Sequence, residues 1–401
     1  MRTFRFATFI TLGVNSYLVL VYWVLVPLHS AGIAQPVTGF LNGIGQCLSM
    51  PGLAMVIRAE GKLGHATAAY SRPLVLLLNI VIYFSIAWLL GALRSWSPKR
   101  AVMTAASSPS SAIVSRRRFL RTGSSFVALG AAAGFGYSLC FEPRWVSVAR
   151  RYFPVRGLPP SLVGLKVAQL TDIHLGPWIS LGFVEEVIRK TNQLDPDLIL
   201  LTGDYVHQSA RYIAPVVNAL KELKARIGIV GVLGNHDWWE SAKLVRSAFE
   251  RVGLPLIDNA RLFLSPDRKL VGESSEGLCI AGVGDLWEDH CLYEKALGGV
   301  PEAMPRLLLS HNPDVAEEPG LVDGGYRVDL MLSGHTHGGQ IWLPGLGTPV
   351  VPSRFGQKYA HGLVQGPVCP VLISSGIGMT VLPLRFGVAP EIVVIELRQV
   401  A

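Results

Sequence analysis

Five short apolar runs in the second half of the chain each end on Asp, Asn or His, and this repetition narrows the possible folds most. LKVAQLT (165–171) leads into Asp172-Ile173-His174, and DLILLT (197–202) into Gly203-Asp204. IGIVGVL (227–233) leads into Gly234-Asn235-His236-Asp237, RLLLS (306–310) into His311, and DLMLS (329–333) into Gly334-His335-Thr336-His337. Runs of this length, rich in Leu, Ile and Val and closed by polar residues, read as buried strands. LCIAGVG (278–284) is another. Between the first runs, GFVEEVIRKTNQL spaces Phe183, Val187, Ile188 and Leu194 as one helix face, and APVVNALKELKA reads as a second helix. The alternation predicts an α/β fold. Sheets of that class place their sites at the carboxyl ends of strands, so the polar ends are expected along one sheet edge.

Taken singly, each polar residue has an ordinary explanation. Asp172 or Asp204 could cap a helix, Asn235 could belong to a turn, and a single histidine is usually a satisfied core or surface residue. Together they form a mixed oxygen and nitrogen donor set without thiolate. Such a set suits borderline or hard divalent ions (Mn, Fe, Zn or Ni) rather than a structural zinc site. Two ions sharing it would need a bridging carboxylate. The five cysteines (Cys47, Cys140, Cys279, Cys291 and Cys369) form no C-x-x-C pair, and a Cys279–Cys291 bridge is left open.

In type, order and spacing, D-x-H, G-D, G-N-H-D, a lone His and G-H-x-H resemble the calcineurin-like metallophosphoesterase family over residues 160–401. The resemblance implies a metallophosphoesterase-type β-sandwich flanked by helices and a two-metal phosphoesterase mechanism. Asp172, His174 and His337 would hold the first ion, Asp204 would bridge, and Asn235, His311 and His335 would complete the second site. His236 would face the leaving group as an outer-sphere catalytic histidine, with Asp237 orienting it by a hydrogen bond. A bridging hydroxide would attack phosphorus in line.

GDYVH, GNHDWW, LSHNPD and LSGHTHGGQIWLPG further resemble a membrane-associated bacterial branch. It includes phosphodiesterases similar to UDP-2,3-diacylglucosamine pyrophosphatase. The expected substrate is a phosphodiester or pyrophosphate, with a lipid-linked one in view. Trp238, Trp239, Trp342 and the apolar loop after them are candidates for an acyl-chain lip, with core packing as the alternative. Arg354, Lys358 and His361 are candidates for a substrate phosphate, and Tyr205 and His207 are weaker ones. A nuclease or general phosphatase, and a non-catalytic membrane sensor on the same fold, are the competing functions.

The formal charge of +8 invites a nucleic-acid partner, but its distribution argues against one. Residues 1–141 hold 12 Lys+Arg and one acid, so the remaining 260 hold 24 basic and 27 acidic residues, a net of −3. The expected catalytic part therefore lacks the positive excess that a nucleic-acid groove requires.

The basic surplus accompanies a membrane region. Phe6–Val26 and Pro73–Leu93 are each 21 uncharged, largely apolar residues, long enough to span a bilayer as helices within residues 1–93. Residues 37–57, also uncharged but rich in Gly and Pro, read as a re-entrant or interfacial segment, with a span as the alternative. Residues 94–121 carry seven Lys/Arg and no acid, a positive-inside signal for a cytoplasmic linker. Within it, Ser115-Arg116-Arg117-Arg118-Phe119-Leu120-Arg121 resembles the twin-arginine export signal. Residues 122–141 follow as a third transmembrane or signal-anchor segment. That topology puts the catalytic domain outside a bacterial inner membrane as a multi-pass protein. A lipid A precursor would lie on the other face, so either the segment at 37–57 spans or the substrate is an extracytoplasmic phospholipid, nucleotide or wall phosphodiester.

Overall fold

The computed structural model describes residues 116–400. The two expected spans, the segment at 37–57 and the linker up to residue 115 lie outside the described residues. Strands β1 (Ser147–Val155), β2 (Lys166–Leu170), β3 (Leu198–Thr202) and β4 (Gly228–Val232) come first. They are followed by β5 (Ala260–Leu264), β6 (Leu270–Val271), β7 (Leu278–Gly282) and β8 (Arg306–Leu309). The last four are β9 (Leu330–Ser333), β10 (Gly362–Gln365), β11 (Pro370–Ile373) and β12 (Glu391–Gln399). The α-helices are α1 (Arg116–Cys140), α2 (Leu181–Gln193), α3 (Ile213–Leu220), α4 (Asn235–Arg251), α5 (Tyr293–Leu297) and α6 (Pro319–Val322).

The strands form two mixed sheets, β1-β12-β2-β3-β4 and β10-β11-β9-β8-β7-β5-β6. Side chains alternate across each strand, and the alternation builds three apolar layers. Leu198, Leu200, Val230 and Val232 meet Leu278, Ile280, Leu307, Leu309, Leu330 and Leu332 between the sheets. Ile199 and Leu201 face the opposite way, onto Val184, Val187 and Ile188 of α2 and Val216, Val217 and Leu220 of α3. Leu308 and Met331 face outward from the second sheet onto Ala296, Leu297 and Leu321. The result is a β-sandwich with helices on both outer faces, the expected architecture. Each fully buried Leu, Ile or Val contributes about 1.5–3 kcal/mol, which makes the two sheets a rigid base for the loops at their ends.

Local signals account for the helices that flank the strand ends. Ser180 caps α2, its hydroxyl accepting from Phe183 N at 3.3 Å. Helix α4 is broken at Ser241 (φ 162°, ψ 97°), so Asn235–Glu240 forms a separate first turn. That turn, not the longer stretch after it, carries Asn235, His236 and Asp237.

The unit containing both sheets begins at Gly134, earlier than residue 160, where the strand pattern becomes legible. Strand β1 pairs in parallel with β12, from Ser147 with Glu391 to Val155 with Gln399. Arg150, Arg151 and Tyr152 are exposed on this edge strand, and such charged edges hide a strand from a hydrophobic pattern. Before β1, residues Gly123–Arg144 are long and apolar enough to cross a membrane by length and composition. The end of α1 is tied to the sandwich where Arg385 N donates to Ser138 O at 3.0 Å.

Candidate metal centre

Five of the seven expected ligands sit in the left-handed backbone region: Asp172 (φ 51°), His174 (50°), Asp204 (57°), His335 (69°) and His337 (52°). Such conformations cost of order 1–3 kcal/mol each and persist where the surroundings enforce them. Here the strand ends enforce them through main-chain bonds. Asp172 N donates to Gly203 O at 2.9 Å, His174 N to Asp204 O at 3.0 Å, and Gly334 N to His311 O at 3.0 Å. Two glycines are required by crowding. A Cβ on Gly334 would lie 2.2 Å from Asp172 Oδ2, and one on Gly234 would lie 2.3 Å from Asp204 Oδ1.

The seven side chains converge and are buried. On one side, His337 Nε2 lies 3.2 Å from Asp172 Oδ1 and 3.1 Å from His174 Nε2. On the other, His335 Nδ1 lies 3.0 Å from Asn235 Oδ1 and 3.3 Å from His311 Nε2. Asp204 Oδ2 stands between the groups, 3.4 Å from His174 Nε2 and 3.2 Å from His311 Nε2. Asp172–His174–His337 and Asp172–Asp204–His311 each bring three donor atoms close enough to hold one ion.

The chemistry of these contacts fits a cation. His311 Nδ1 lies 2.8 Å from the carbonyl oxygen of Thr202, so it must be the protonated nitrogen of a neutral ring. Its Nε2 lone pair then faces an Asp204 carboxylate oxygen, a repulsive contact unless a proton or a metal lies between. Donors about 2.1 Å from one ion lie roughly 3.0–3.4 Å apart, the spacing of these contacts except His174 Nε2 to Asp172 Oδ1 at 3.8 Å. Without metal, the proton takes that place. Burial lowers the pKa of His311, but Asp204, together with Asp172 and Asp285, outweighs burial and raises it to about 10. Its neighbour His335 moves the other way, to about 3, through burial and the charge on His311. Burial raises the Asp172 and Asp204 carboxyls, but the surrounding histidines prevail and hold both well below the ordinary range.

The next shell of contacts revises one expectation. Asp237 does not turn its carboxylate to the His236 ring. It accepts from three main-chain N–H groups: Asp204 (2.8 Å), Tyr205 (2.9 Å) and Gly234 (3.0 Å). A carboxylate at the third position of a helical turn reaches back to the helix entrance, and here it also holds the Asp204 loop. Burial and the Asp204 charge press its pKa upward, against those donors. The ring beside His236 is His207, with the two Nδ1 atoms 3.1 Å apart.

Arg354, Lys358 and His361 are each paired with a carboxylate. Arg354 meets Glu318 and Asp314, Lys358 lies 2.5 Å from Glu317, and His361 lies 2.9 Å from Glu391. The Trp238-Trp239 pair is divided. Trp238 packs on the helix-side core, whereas Trp239 lies 4.4 Å from the His236 ring and donates to Glu288 at 2.6 Å. Tyr205 is buried, its hydroxyl donating to Val232 O at 2.7 Å. Cys279 and Cys291 are free thiols.

Two contributors give little sign of themselves in the sequence. Arg385 is fully buried and donates to the carbonyls of Ser375 (2.8 Å), Gly376 (3.2 Å), Gly378 (2.6 Å) and Val388 (3.1 Å). The loop it holds packs Gly376 and Gly378 against Asp172 and His174. Asp285, after β7, accepts from Trp287 N and Glu288 N, and Trp287 stands at 90° to the His335 ring, 4.3 Å away. An Arg after Leu384 and an Asp in a loop look like surface residues until the fold encloses them.

This sandwich with an Asp/His cluster at its strand ends has the form of a metal-dependent hydrolase. Residues 165–339 match the calcineurin-like phosphoesterase family. The chain is 33% identical to the Bacillus subtilis metallophosphoesterase YkuE, over 71% of this chain and 98% of that one. It is 30% identical to the Escherichia coli phosphodiesterase YaeI, over 71% of this chain and 100% of that one. A zebrafish (Danio rerio) transmembrane protein with a metallophosphoesterase domain is 30% identical, over 61% of this chain and 56% of that one. The chain belongs to the calcineurin-like phosphoesterase family. It is a phosphoester hydrolase.

Proposed function

We propose that the chain is a membrane-anchored phosphodiesterase or pyrophosphatase that works with two divalent ions. One ion would be held by Asp172, His174 and His337, the other by Asn235, His311 and His335, with Asp204 shared. The placement of Asp204 Oδ2 between His174 Nε2 and His311 Nε2, at 3.4 and 3.2 Å, carries this reading. Bound there, the ions would stabilise charge on the phosphoryl oxygens and acidify a water molecule near neutral pH.

The protein's own groups would do the rest. His335 N donates to both oxygens of Asp172 (3.1 and 3.0 Å), and His236 N donates to Asp204 Oδ1 (2.8 Å), which holds both carboxylates in place. Burial excludes competing water. His236, 8% exposed beside the cluster, would give a proton to the departing oxygen. With Arg354 and Lys358 engaged by acids, a singly charged phosphodiester suits the site better than a dianionic phosphomonoester.

The apolar helix at Gly123–Arg144 and the transmembrane relative support a membrane anchor. An anchor favours a substrate presented at the bilayer, with a lipid-linked pyrophosphate such as UDP-2,3-diacylglucosamine as the specific candidate. The net charge of −3 on residues 142–401 disfavours a nuclease. Metal analysis of the purified protein, followed by a hydrolysis screen with manganese, tests the proposal. The screen compares UDP-diacylglucosamine, an aryl phosphodiester and a phosphomonoester. Metal in the protein with diester or pyrophosphate cleavage supports it; a metal-free protein, or cleavage of the monoester alone, refutes it.

A further inference from the structure

We propose that the end of the sandwich carrying the metal centre rests on the lipid bilayer, docked by a lip of exposed apolar side chains. The lip comprises Phe141, Trp145, Trp342, Leu346, Val350 and Val381. The inference rests on the membrane-anchor reading and adds which face of the sandwich meets the bilayer, and through which residues.

Sheet topology sets the end at which the anchor arrives. Strand β12 runs antiparallel to β2, from Val393 opposite Gln169 to Glu396 opposite Lys166. Its first residue, Glu391, is therefore level with the carboxyl end of β2, just before Asp172. Strand β1 is parallel to β12 and begins with Ser147 opposite Glu391. The candidate span ends at Arg144, so it meets the sheet at the edge where β2, β3 and β4 deliver Asp172, Asp204 and Asn235. A strand of 9 residues such as β1 covers roughly 30 Å, so the opposite strand sense would have set the metal centre that much farther from the span.

From that point a hydrogen-bonded assembly leads into the ligand loops. Arg385 N donates to Ser138 O in the last turn of α1 at 3.0 Å. Phe386 N donates to Gln340 O at 2.8 Å, and Trp342 N donates to Phe386 O at 2.7 Å. The Gln340 side chain donates to Leu382 O (3.2 Å) and accepts from Thr380 N (2.6 Å). Gln340 follows the expected ligand His337 by three residues, and Gly339 between them packs against Thr348 and Val350.

The outer surface of this assembly is apolar. Leu346 is 73% exposed, Trp145 68% and Phe141 67%, and Trp342, Val350 and Val381 are exposed with them. Val381 sits in the left-handed region (φ 59°), which a β-branched residue disfavours, so local conformation gives no reason for a valine there. Exposed apolar surface continuous with a candidate span, with tryptophans among it and Arg144 at the helix end, has the make-up of a membrane interface. Docked this way, the metal centre meets phosphate at headgroup level. The substrate class is then the phosphodiester or pyrophosphate of a membrane lipid.

The experiment uses the full-length protein in vesicles of phosphatidylcholine and phosphatidylglycerol in equal parts. The photoreactive residue p-benzoylphenylalanine replaces, one at a time, Leu346, Trp342, Trp145 and Glu276. Trp145 adjoins the span and reports the anchor itself. Glu276 is exposed and precedes β7, which runs parallel to β8, so it lies at the end of the sandwich away from the metal centre. Interfacial side chains sit about 5–10 Å into the boundary between headgroups and acyl chains. After irradiation, mass spectrometry should therefore find phospholipid adducts at 346 and 342 on the order of tenfold above 276. Two test positions keep the result independent of the folding of one variant.

Lipid adducts at 145 but at neither 346 nor 342, equal adducts at 346 and 276, or adducts from 346 to a second protein chain in place of lipid would each overturn the docking. Absence of lipid adducts at 145, with a protein that does not float with the vesicles, would overturn the anchor and the docking with it.

Discussion

Along the first sheet, β2, β3 and β4 end on Asp172, Asp204 and Asn235; along the second, β8 and β9 end on His311, His335 and His337. Both carboxylates of the cluster thus come from one sheet, in left-handed turns; Asp204 accepts a main-chain N–H from His236 on the same side, and Asp172 one from His335 across the gap. The side chains that the other sheet brings to the cluster are all imidazoles, whose charge depends on what they face. His311 and His335 lie 3.3 Å apart, yet their pKa values move to about 10 and about 3, because only His311 touches Asp204 closely. A fixed anionic edge set against an adjustable imidazole edge suits divalent metal, and protons compete with metal for the same atoms.

If the two edges form one centre, removing a ligand from either should do similar damage. Asn235→Ala and His335→Ala should each lower kcat/KM by roughly 10³-fold or more, since several kcal/mol of charge stabilisation is lost at a factor of ten per 1.36 kcal/mol. Metal analysis should show depletion in both, and a fully active variant would break the ligand assignment.

His236 lies on the anionic side, beside His174 and His207, and is not among the expected ligands. His236→Ala should cut kcat by roughly 10²-fold while metal content is retained. Equal loss of metal would move it among the ligands.

Arg385 braces the loop beneath Asp172 and His174. Arg385→Met leaves several carbonyls without their donor and should cost about 3 kcal/mol, given the usual worth of charge-assisted bonds. That corresponds to a fall in Tm of roughly 6–12 °C for a unit of this size. An unchanged melting curve would show that the loop does not depend on it.

The adjustable edge should reveal itself in a pH series on chelated protein. The folded-state pKa of His311 is raised above its ordinary 6.5 to about 10, so its stabilisation is complete below about 6.5 and lost as pH rises toward 10. The Tm of the chelated protein should fall across that window, whereas metal-loaded protein, with the proton already displaced, should not follow it. Parallel curves would separate His311 from the metal.

The smallest effects belong to the exposed ion pairs. Arg354→Ala and Lys358→Ala should each change stability by less than about 1 kcal/mol and leave KM within about twofold. A tenfold rise in KM would show that substrate draws these side chains away from Glu318 and Glu317.

Much of this centre was legible before any fold was known, because each ligand adjoins a strand end and a strand announces itself by its apolar run. Asp172, His174, Asp204, Asn235, His311, His335 and His337 belong to motifs of consecutive residues, as do Gly234 and Gly334, which crowding requires. What depends on distant pairing was not legible. Strand β1 was hidden by Arg150 and Arg151, which an edge strand tolerates. The orientation of Asp237 was not legible either, since the geometry of a helical turn sends its carboxylate back to its own entrance. Arg385 showed nothing of its position, because a buried cation is stable only where several carbonyls converge, and those are assembled by the fold. The sequence by itself determined the Asp/His cluster and the hydrolase class, both written in local runs. Only the tertiary structure decided which atoms face one another, because protonation and hydrogen bonding follow from distances across the two sheets.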